Sequence, residues 1–386
     1  MEEAVISKYA IVIIGGGPAG ISTALHLASI APNLIRNTII LEKAEYPRPK
    51  LCGGGLTVDA EILLERLGLD VNEIPYRLAN SASMIYKGKG LILKPKKQHA
   101  IKVIQRYEFD HWLATKARER GIHIQENTTV KTIHTNNGKV IVETDKGTFH
   151  SRVVVGADGS NGVTRNCFFP DKKLQAARLL EIRLKEEIGS YPDNYPAVFD
   201  FTPISSGIAG YTWDFPALKD GVLERCTGIF DNNMRIRRSK PALKDVLFDE
   251  LKRNHLENQE LKVEGHPLRL FSPSKPIAAR SLLLVGDAAG SDPLFGEGIS
   301  LALGYGLVAA RTIKSAFDRN NFEFQNYKRD VLYSSLGQTL LIRKIIAKII
   351  YSIDRDWFQK VIWHGLHPVV KLAGWLFVAN WAKRLK

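Results

Sequence analysis

Residues 10–22 read AIVIIGGGPAGIS. Tyr9–Ile14 is a short, uninterrupted apolar run, the pattern of a parallel strand buried on both faces. Gly15-x-Gly17-x-x-Gly20 follows, and then an apolar stretch with helical spacing. In this order the first glycine permits a tight turn. The second lets a pyrophosphate approach the backbone, and the third lets helix and strand pack closely. The helix start, with Pro18 and Ala19, offers free N–H groups and a partial positive charge. Thr38–Leu41 is a second buried strand and ends at Glu42. An acid about 20 residues beyond the glycines is placed to hold ribose hydroxyls. The unit therefore reads as the βαβ start of a Rossmann-like, dinucleotide-binding α/β domain. The motif alone leaves NAD and FAD open.

Outward from this unit, the chain alternates turns and strands. Residues 81–104 read as antiparallel strands, and Tyr107–Arg120 as a helix with Phe109, Trp112 and Leu113 on one face. Further strands are expected at Val130–Ile133, Val140–Thr144 and Arg152–Val155, with hairpin turns at 136–138 and 145–147. Ser281–Val285 is another buried strand, followed by a helix from about Gly298. With 386 residues the chain exceeds one core, since single cores stop growing near ~250–300 residues.

Composition is that of a globular protein, 45% hydrophobic and 24% charged. The net charge of +14 favours an anionic partner. No nucleic-acid-binding motif accompanies it, so nucleic acid is not expected. Cys52, Cys167 and Cys226 form neither a disulfide framework nor a metal-ligand spacing. They fit a reducing, cytoplasmic setting, and the start MEEAVISKYA shows no secretory signal. No window holds the ~18 uncharged apolar residues of a spanning helix.

Two later segments point to FAD. Gly156-Ala157-Asp158-Gly159-Ser160 and Gly286-Asp287-Ala288-Ala289-Gly290 each follow a strand with an aspartate placed to accept hydrogen bonds from hydroxyls. Arg106 precedes a helix and is positioned to neutralise phosphate. The order GGGPAG, Glu42, Arg106, GADGSNGVTR, VGDAAG resembles the FAD-dependent oxidoreductases of the para-hydroxybenzoate hydroxylase-like class over about residues 8–310. That resemblance implies that Gly15, Gly17, Pro18, Ala19 and Gly20 hold the pyrophosphate and that Glu42 and Lys43 lie at the adenosine end. Arg106, Val130, Asp158, Gly159 and Asp287 complete that cofactor set.

Three segments narrow the branch. Lys50-Leu51-Cys52-Gly53-Gly54-Gly55-Leu56, Gly210-Tyr211-Thr212-Trp213-Asp214-Phe215-Pro216 and Pro293-Leu294-Phe295-Gly296-Glu297-Gly298-Ile299 resemble motifs of the geranylgeranyl reductase family. The resemblance implies that Cys52, Gly53, Gly54, Gly296, Gly298 and Ile299 lie at the flavin ring. It implies that Tyr211, Trp213 and Phe215 line the substrate slot. Glu297 and Ser300 stand where hydroxylases of the class carry Gln and Asn, which counts against oxygen activation.

The implied architecture is a discontinuous FAD-binding domain (1–80, 101–167, 273–325), an antiparallel-sheet substrate domain (81–100, 168–272) and a helical C-terminal segment (326–386). The implied reaction is saturation of carbon–carbon double bonds in a prenyl chain by hydride from reduced flavin. Cys52 and Glu297 are the expected catalytic residues, with Asp292, Tyr211 or water as other proton sources. No second glycine fingerprint exists, so NAD(P)H or a ferredoxin-type protein is expected as a transient donor. Aromatic monooxygenase, epoxidase or halogenase chemistry on the same fold is the first alternative. A non-catalytic lipid-binding protein is the second.

The last 46 residues, Leu341–Lys386, carry nine Lys or Arg, two Asp and four of the six tryptophans (Trp357, Trp363, Trp375, Trp381). Basic amphipathic helices with tryptophan suit a lipid interface, so peripheral membrane contact is expected here.

Overall fold

The computed structural model describes residues 6–95, 99–136, 138–185, 195–234, 240–253, 261–374 and 380–385. Its central sheet has six strands in the order 278–279, 282–284, 153–156, 11–14, 38–41, 123–125. All pairs but the first are parallel. Ile11–Ile14 sits in the middle and is buried throughout. The apolar run therefore reports a strand covered on both faces. The carboxyl ends of four adjacent strands deliver Gly15, Glu42, Ala157 and Val285 to one crest, where ligands of such sheets bind.

Helix Pro18–Ile30 starts directly on that crest and packs against the long helix Ile299–Asp318. Ser22 Oγ donates to Leu303 O at 2.9 Å across the contact. Gly20 is dictated by distance, because a Cβ there would lie 2.0 Å from Gly15 O.

A second sheet of seven strands runs 264–269, 176–185, 222–231, 210–219, 197–200, 82–86, 89–93. It is antiparallel except where 197–200 pairs 82–86. One face packs on helix Leu243–Arg253. The other carries Tyr211, Trp213 and Phe215 and meets Ile350, Tyr351 and Trp363 of the C-terminal segment. Residues 81–104, expected as antiparallel strands, form such strands in two sheets. The hairpin 82–93 joins this sheet, whereas Ile101–Ile104 pairs with 55–57 and 76–79 in a separate three-stranded sheet. Ile101–Ile104 is buried on both sides, which an edge strand beside 89–93 would not be. A four-stranded sheet of 6–8, 147–151, 139–144 and 130–136 completes the body. The turn expected at 136–138 includes a residue outside the described set.

The C-terminal helices Tyr327–Tyr333, Ser335–Ser352, Asp356–Lys360, His367–Ala373 and Trp381–Arg384 pack on the body. Asp59 accepts from Asn380 N at 3.0 Å and Ala382 N at 2.8 Å. Trp363 stacks on Phe201 with ring centroids 4.0 Å apart. Trp363 and Trp381 are thus core residues and are not available to a lipid interface. Trp357 is 65% exposed, and Trp375 lies outside the described residues. Among the described residues no helix is long and apolar enough to cross a membrane.

Candidate active site

Helix Pro18–Ile30 has no side chain capping its first turn, so its N–H groups face the crest unpaired by the protein. Glu42 stands over the glycine turn and accepts from Gly16 N at 2.8 Å and Ala44 N at 3.1 Å. Tyr46 donates to Gly16 O, and Arg48 lies against Gly17 and 3.4 Å from Glu42. Lys43 is exposed. Val130 opens a strand just beyond Thr128, whose N–H bonds Glu42 O at 2.9 Å.

Arg106, expected to face phosphate, has two N–H groups committed to Asp110, at 2.8 and 2.9 Å. Arg48 reaches the same Asp110 at 3.3 Å, and its Nε is buried with no partner. Lys50 Nζ lies 2.8 Å from His266 Nε2. Burial lowers the Lys50 pKa. Burial and the Lys50 charge push His266 down to about 4. Arg165 Nε and Arg269 Nη1 are also buried without partners, and Arg269 lies near Asp158 and Asp287. A set of buried cations with unmet donors around an uncapped helix start fits a bound diphosphate.

Asp158 uses one oxygen to accept from Thr164 N and Oγ1, both at 2.8 Å, and so braces the GADGS turn. Its other oxygen is buried and unpartnered. Gly159 sits in the same turn at φ +74°, with open space above it. Asp287 accepts from Ser291 Oγ and lies beside Gly298, which starts helix Ile299–Asp318 without a side-chain cap.

Glu297 departs most from expectation. Arg343, from the C-terminal helix, reaches Glu297 Oε2 at 2.5 Å and Asp292 Oδ2 at 2.9 Å. Thr57 Oγ1 donates to Glu297 at 2.8 Å, and Ser300 Oγ donates to it as well. Burial opposes ionisation, but Arg343 and these hydrogen bonds outweigh it and hold the Glu297 pKa below the usual range. Arg343, Thr57 and Ser300 all stabilise the ionised form, which weighs against Glu297 as the proton donor and for a role in fastening the loop. Burial raises the Asp292 pKa against the same arginine, and its oxygens accept from Leu294 N and Phe295 N.

Cys52–Gly55 runs beneath the aromatic wall. A Cβ on Gly53 would lie 3.3 Å from Trp213 Nε1 and 3.4 Å from Phe215 Cε2. Gly54 has φ +74°, and a Cβ there would meet Ile104 O at 2.2 Å. That glycine is required by strand pairing, whatever ligand lies nearby. Cys52 is half-buried, its Sγ accepting from Gly54 N at 3.4 Å. Trp213 Nε1 is buried without a partner. Phe199 lies edge-on to Phe215 and to Phe295, and Tyr211 donates to Phe295 O. Phe295 and its neighbour Gly296 thus join the aromatic wall to the loop that carries Glu297 and Ile299.

A family model described as FAD binding domain matches residues 8–304. The chain belongs to the FAD binding domain family. Among curated relatives, an uncharacterized protein of Methanosarcina barkeri is 28% identical over 85% of this chain and 81% of its own. The digeranylgeranylglycerophospholipid reductase of Methanococcus aeolicus is 25% identical over 90% and 89%. Among solved structures, a geranylgeranyl bacteriochlorophyll reductase-like protein of Thermoplasma acidophilum has the same fold. Its TM-score is 0.79 at 22% identity, covering 98% of each chain. Flavin-dependent halogenases share the fold as well. Two of these relatives bear geranylgeranyl reductase names, the family that the three sequence motifs resemble.

Arg48, Lys50, Arg165, Arg269 and Arg343 were not expected at the site. Arg48 lies between two recognised motifs, Lys50 opens the Lys50–Leu56 segment without having been given a role, and Arg165 closes the GADGSNGVTR segment. No local pattern marks Arg269 or Arg343, whose partners are distant in the chain.

Proposed function

We propose that this flavoprotein is a reductase that saturates carbon–carbon double bonds of a prenyl chain at a membrane surface. The supporting observation is the apposition of the Cys52–Gly55 segment to the Trp213–Phe215 wall. It brings a thiol, side-chain-free backbone and an apolar aromatic surface together beside the cofactor crest. Relatives named as geranylgeranyl-lipid reductases favour the same reading.

Bound FAD, when reduced, supplies the hydride. The glycine turn, Glu42, Arg48 and Lys50 would hold its nucleotide portion. The aromatic wall excludes water and aligns the alkene, which lacks the electrophilicity to react without positioning. The second alkene carbon needs a proton. Glu297 is ionised, Asp292 is enclosed with Arg343, and burial holds the Tyr211 hydroxyl well above its ordinary pKa. Among the residues expected here, Cys52 Sγ remains as donor, with solvent returning its proton.

The membrane part rests on exposed apolar side chains of the C-terminal segment. Ile345 and Ile349 on helix Ser335–Ser352, and Ile353, Trp357 and Val361 beyond its end, are 37–65% exposed, with Lys344, Lys348, Arg355 and Lys360 interspersed. The test is anaerobic incubation of dithionite-reduced protein with geranylgeranyl diphosphate and with a menaquinone, followed by mass spectrometry. Two hydrogens gained per saturated bond support the reading. Unchanged lipids from a flavin-loaded protein overturn it and move halogenase or monooxygenase chemistry ahead.

A further inference from the structure

The Lys50–Gly55 segment passes across the strands of the seven-stranded sheet, and each crossing has its own contact. Lys50 Nζ lies 2.8 Å from His266 Nε2 on strand 264–269. Cys52 O accepts from Arg183 Nη2 at 3.0 Å, on strand 176–185. Gly53 lies against Trp213 and Phe215 on strand 210–219. Residues directly opposite in neighbouring strands share a face. Arg183 stands opposite Cys226, which stands opposite Phe215; Glu181 stands opposite Gly228, which stands opposite Trp213. Glu181 and Arg183 therefore belong to the face that carries the aromatic wall.

On that face the two form an ion pair. Glu181 is 4% exposed and accepts from Arg183 Nε at 3.1 Å. A buried ion pair adds little stability over apolar residues of similar volume, so its presence beside an aromatic wall needs another reason. The bond to Cys52 O supplies one. Residues 48–54 form neither helix nor strand. No ladder holds the Cys52 carbonyl, and a charged side chain from the opposing sheet holds it instead. The guanidinium is planar and rigid, so Glu181, by gripping Nε, also fixes where Nη2 stands.

Resting on Cys52 as the proton donor, we infer that Arg183 is a positioning residue for the reduction: clamped by Glu181, it fixes the Cys52 backbone and so holds the thiol in register with the aromatic wall.

The test follows alkylation of each cysteine by iodoacetamide in FAD-loaded protein, read by peptide mass spectrometry, for wild type, E181Q and R183M/E181Q. The double variant removes both charges of the pair. It leaves no unpaired carboxylate in the interior and no change in net charge beside the thiol, so the rate reports position. Cys167 is exposed and serves as the internal reference. In R183M/E181Q, Cys52 should react about tenfold faster or more, the effect of releasing one charge-assisted hydrogen bond. Cys167 and the melting temperature should not change. E181Q keeps the donor to Cys52 O and should react more slowly than the double variant. The kcat for lipid reduction by R183M/E181Q should fall about 10²-fold at unchanged KM, since the thiol is displaced and not lost. A Cys52 rate equal to that of wild type, a rise shared with Cys167, or equal rates in E181Q and the double variant overturns the assignment. Faster alkylation with undiminished kcat also overturns it. If wild type reduces no lipid while the alkylation result holds, the reductase reading fails and the anchoring of Cys52 by Arg183 stands.

Discussion

Replacing Arg343 with Met removes the one cation that, among the described residues, pairs with both Asp292 and Glu297. Arg343 is 3% exposed and Asp292 is fully buried, so solvent does not screen the loss. Breaking a buried pair by deleting one partner costs about 3–5 kcal/mol. Two carboxylates share this arginine, so the upper part of that range is expected. In wild type the Glu297 pKa is depressed, so Glu297 contributes stability above the ordinary carboxylate pKa that is lost as pH falls through its folded value. Without the arginine the folded pKa rises above the unfolded one, and the sign reverses. The deficit of R343M should therefore be largest at neutral pH and shrink toward about pH 4, where the carboxylates take up protons. The triple variant R343M/D292N/E297Q, which deletes all three charges, should recover more than half of the loss. Urea unfolding of FAD-loaded protein between pH 4 and pH 8 reads all three. A loss under about 1 kcal/mol, or a deficit that does not change with pH, would refute the argument that this triad fastens the C-terminal helix to the active-site loop.

Four other outcomes follow from the same structure. Cys52→Ala should bind FAD normally and be photoreduced normally, yet lose about 10²-fold or more in lipid reduction, the size of a general-acid contribution; full activity would leave water as the donor. Gly54→Ala should cost about 1–3 kcal/mol from its left-handed backbone alone, with more from the contact on Ile104 O, and a thermal melt matching wild type would contradict this. Asp59 is raised to about 6 from 3.8, chiefly by burial, so its protonated form favours the fold and wild type loses stability as pH rises through that window. Asp59→Asn abolishes that titration, so its stability relative to wild type should improve by up to about 3 kcal/mol between pH 4 and pH 7 in urea titrations; a constant difference would exclude the shift. Ile349→Glu/Trp357→Glu should reduce co-sedimentation with anionic vesicles severalfold at unchanged melting temperature, and equal sedimentation would remove these side chains as a membrane contact.

The nucleotide half was legible because its determinants are local. Ile11–Ile14 is apolar since both faces are covered, and Gly20 is glycine since 2.0 Å separates its Cβ position from Gly15 O. The aromatic wall was legible from alternation along one strand. The rest depends on contacts between distant segments. Nothing near Glu297 announces Arg343, so the ion pair that holds this side chain was not legible. Nothing in the C-terminal segment separates Trp363 and Trp381, which fill the body, from Trp357, which does not. Ile101–Ile104 parts from the hairpin 82–93 because it finds a partner in Gly55–Thr57. A run of turn residues and strands does not encode that choice of neighbour.

The measurement closest to the central claim is anaerobic stopped-flow of the photoreduced protein, watching flavin absorbance as geranylgeranyl diphosphate in anionic vesicles is added. The account predicts reoxidation without oxygen, one flavin per double bond saturated, and slowed in Cys52→Ala. Flavin that stays reduced with the lipid, and reoxidises only when oxygen and a halide or aromatic substrate enter, would contradict it.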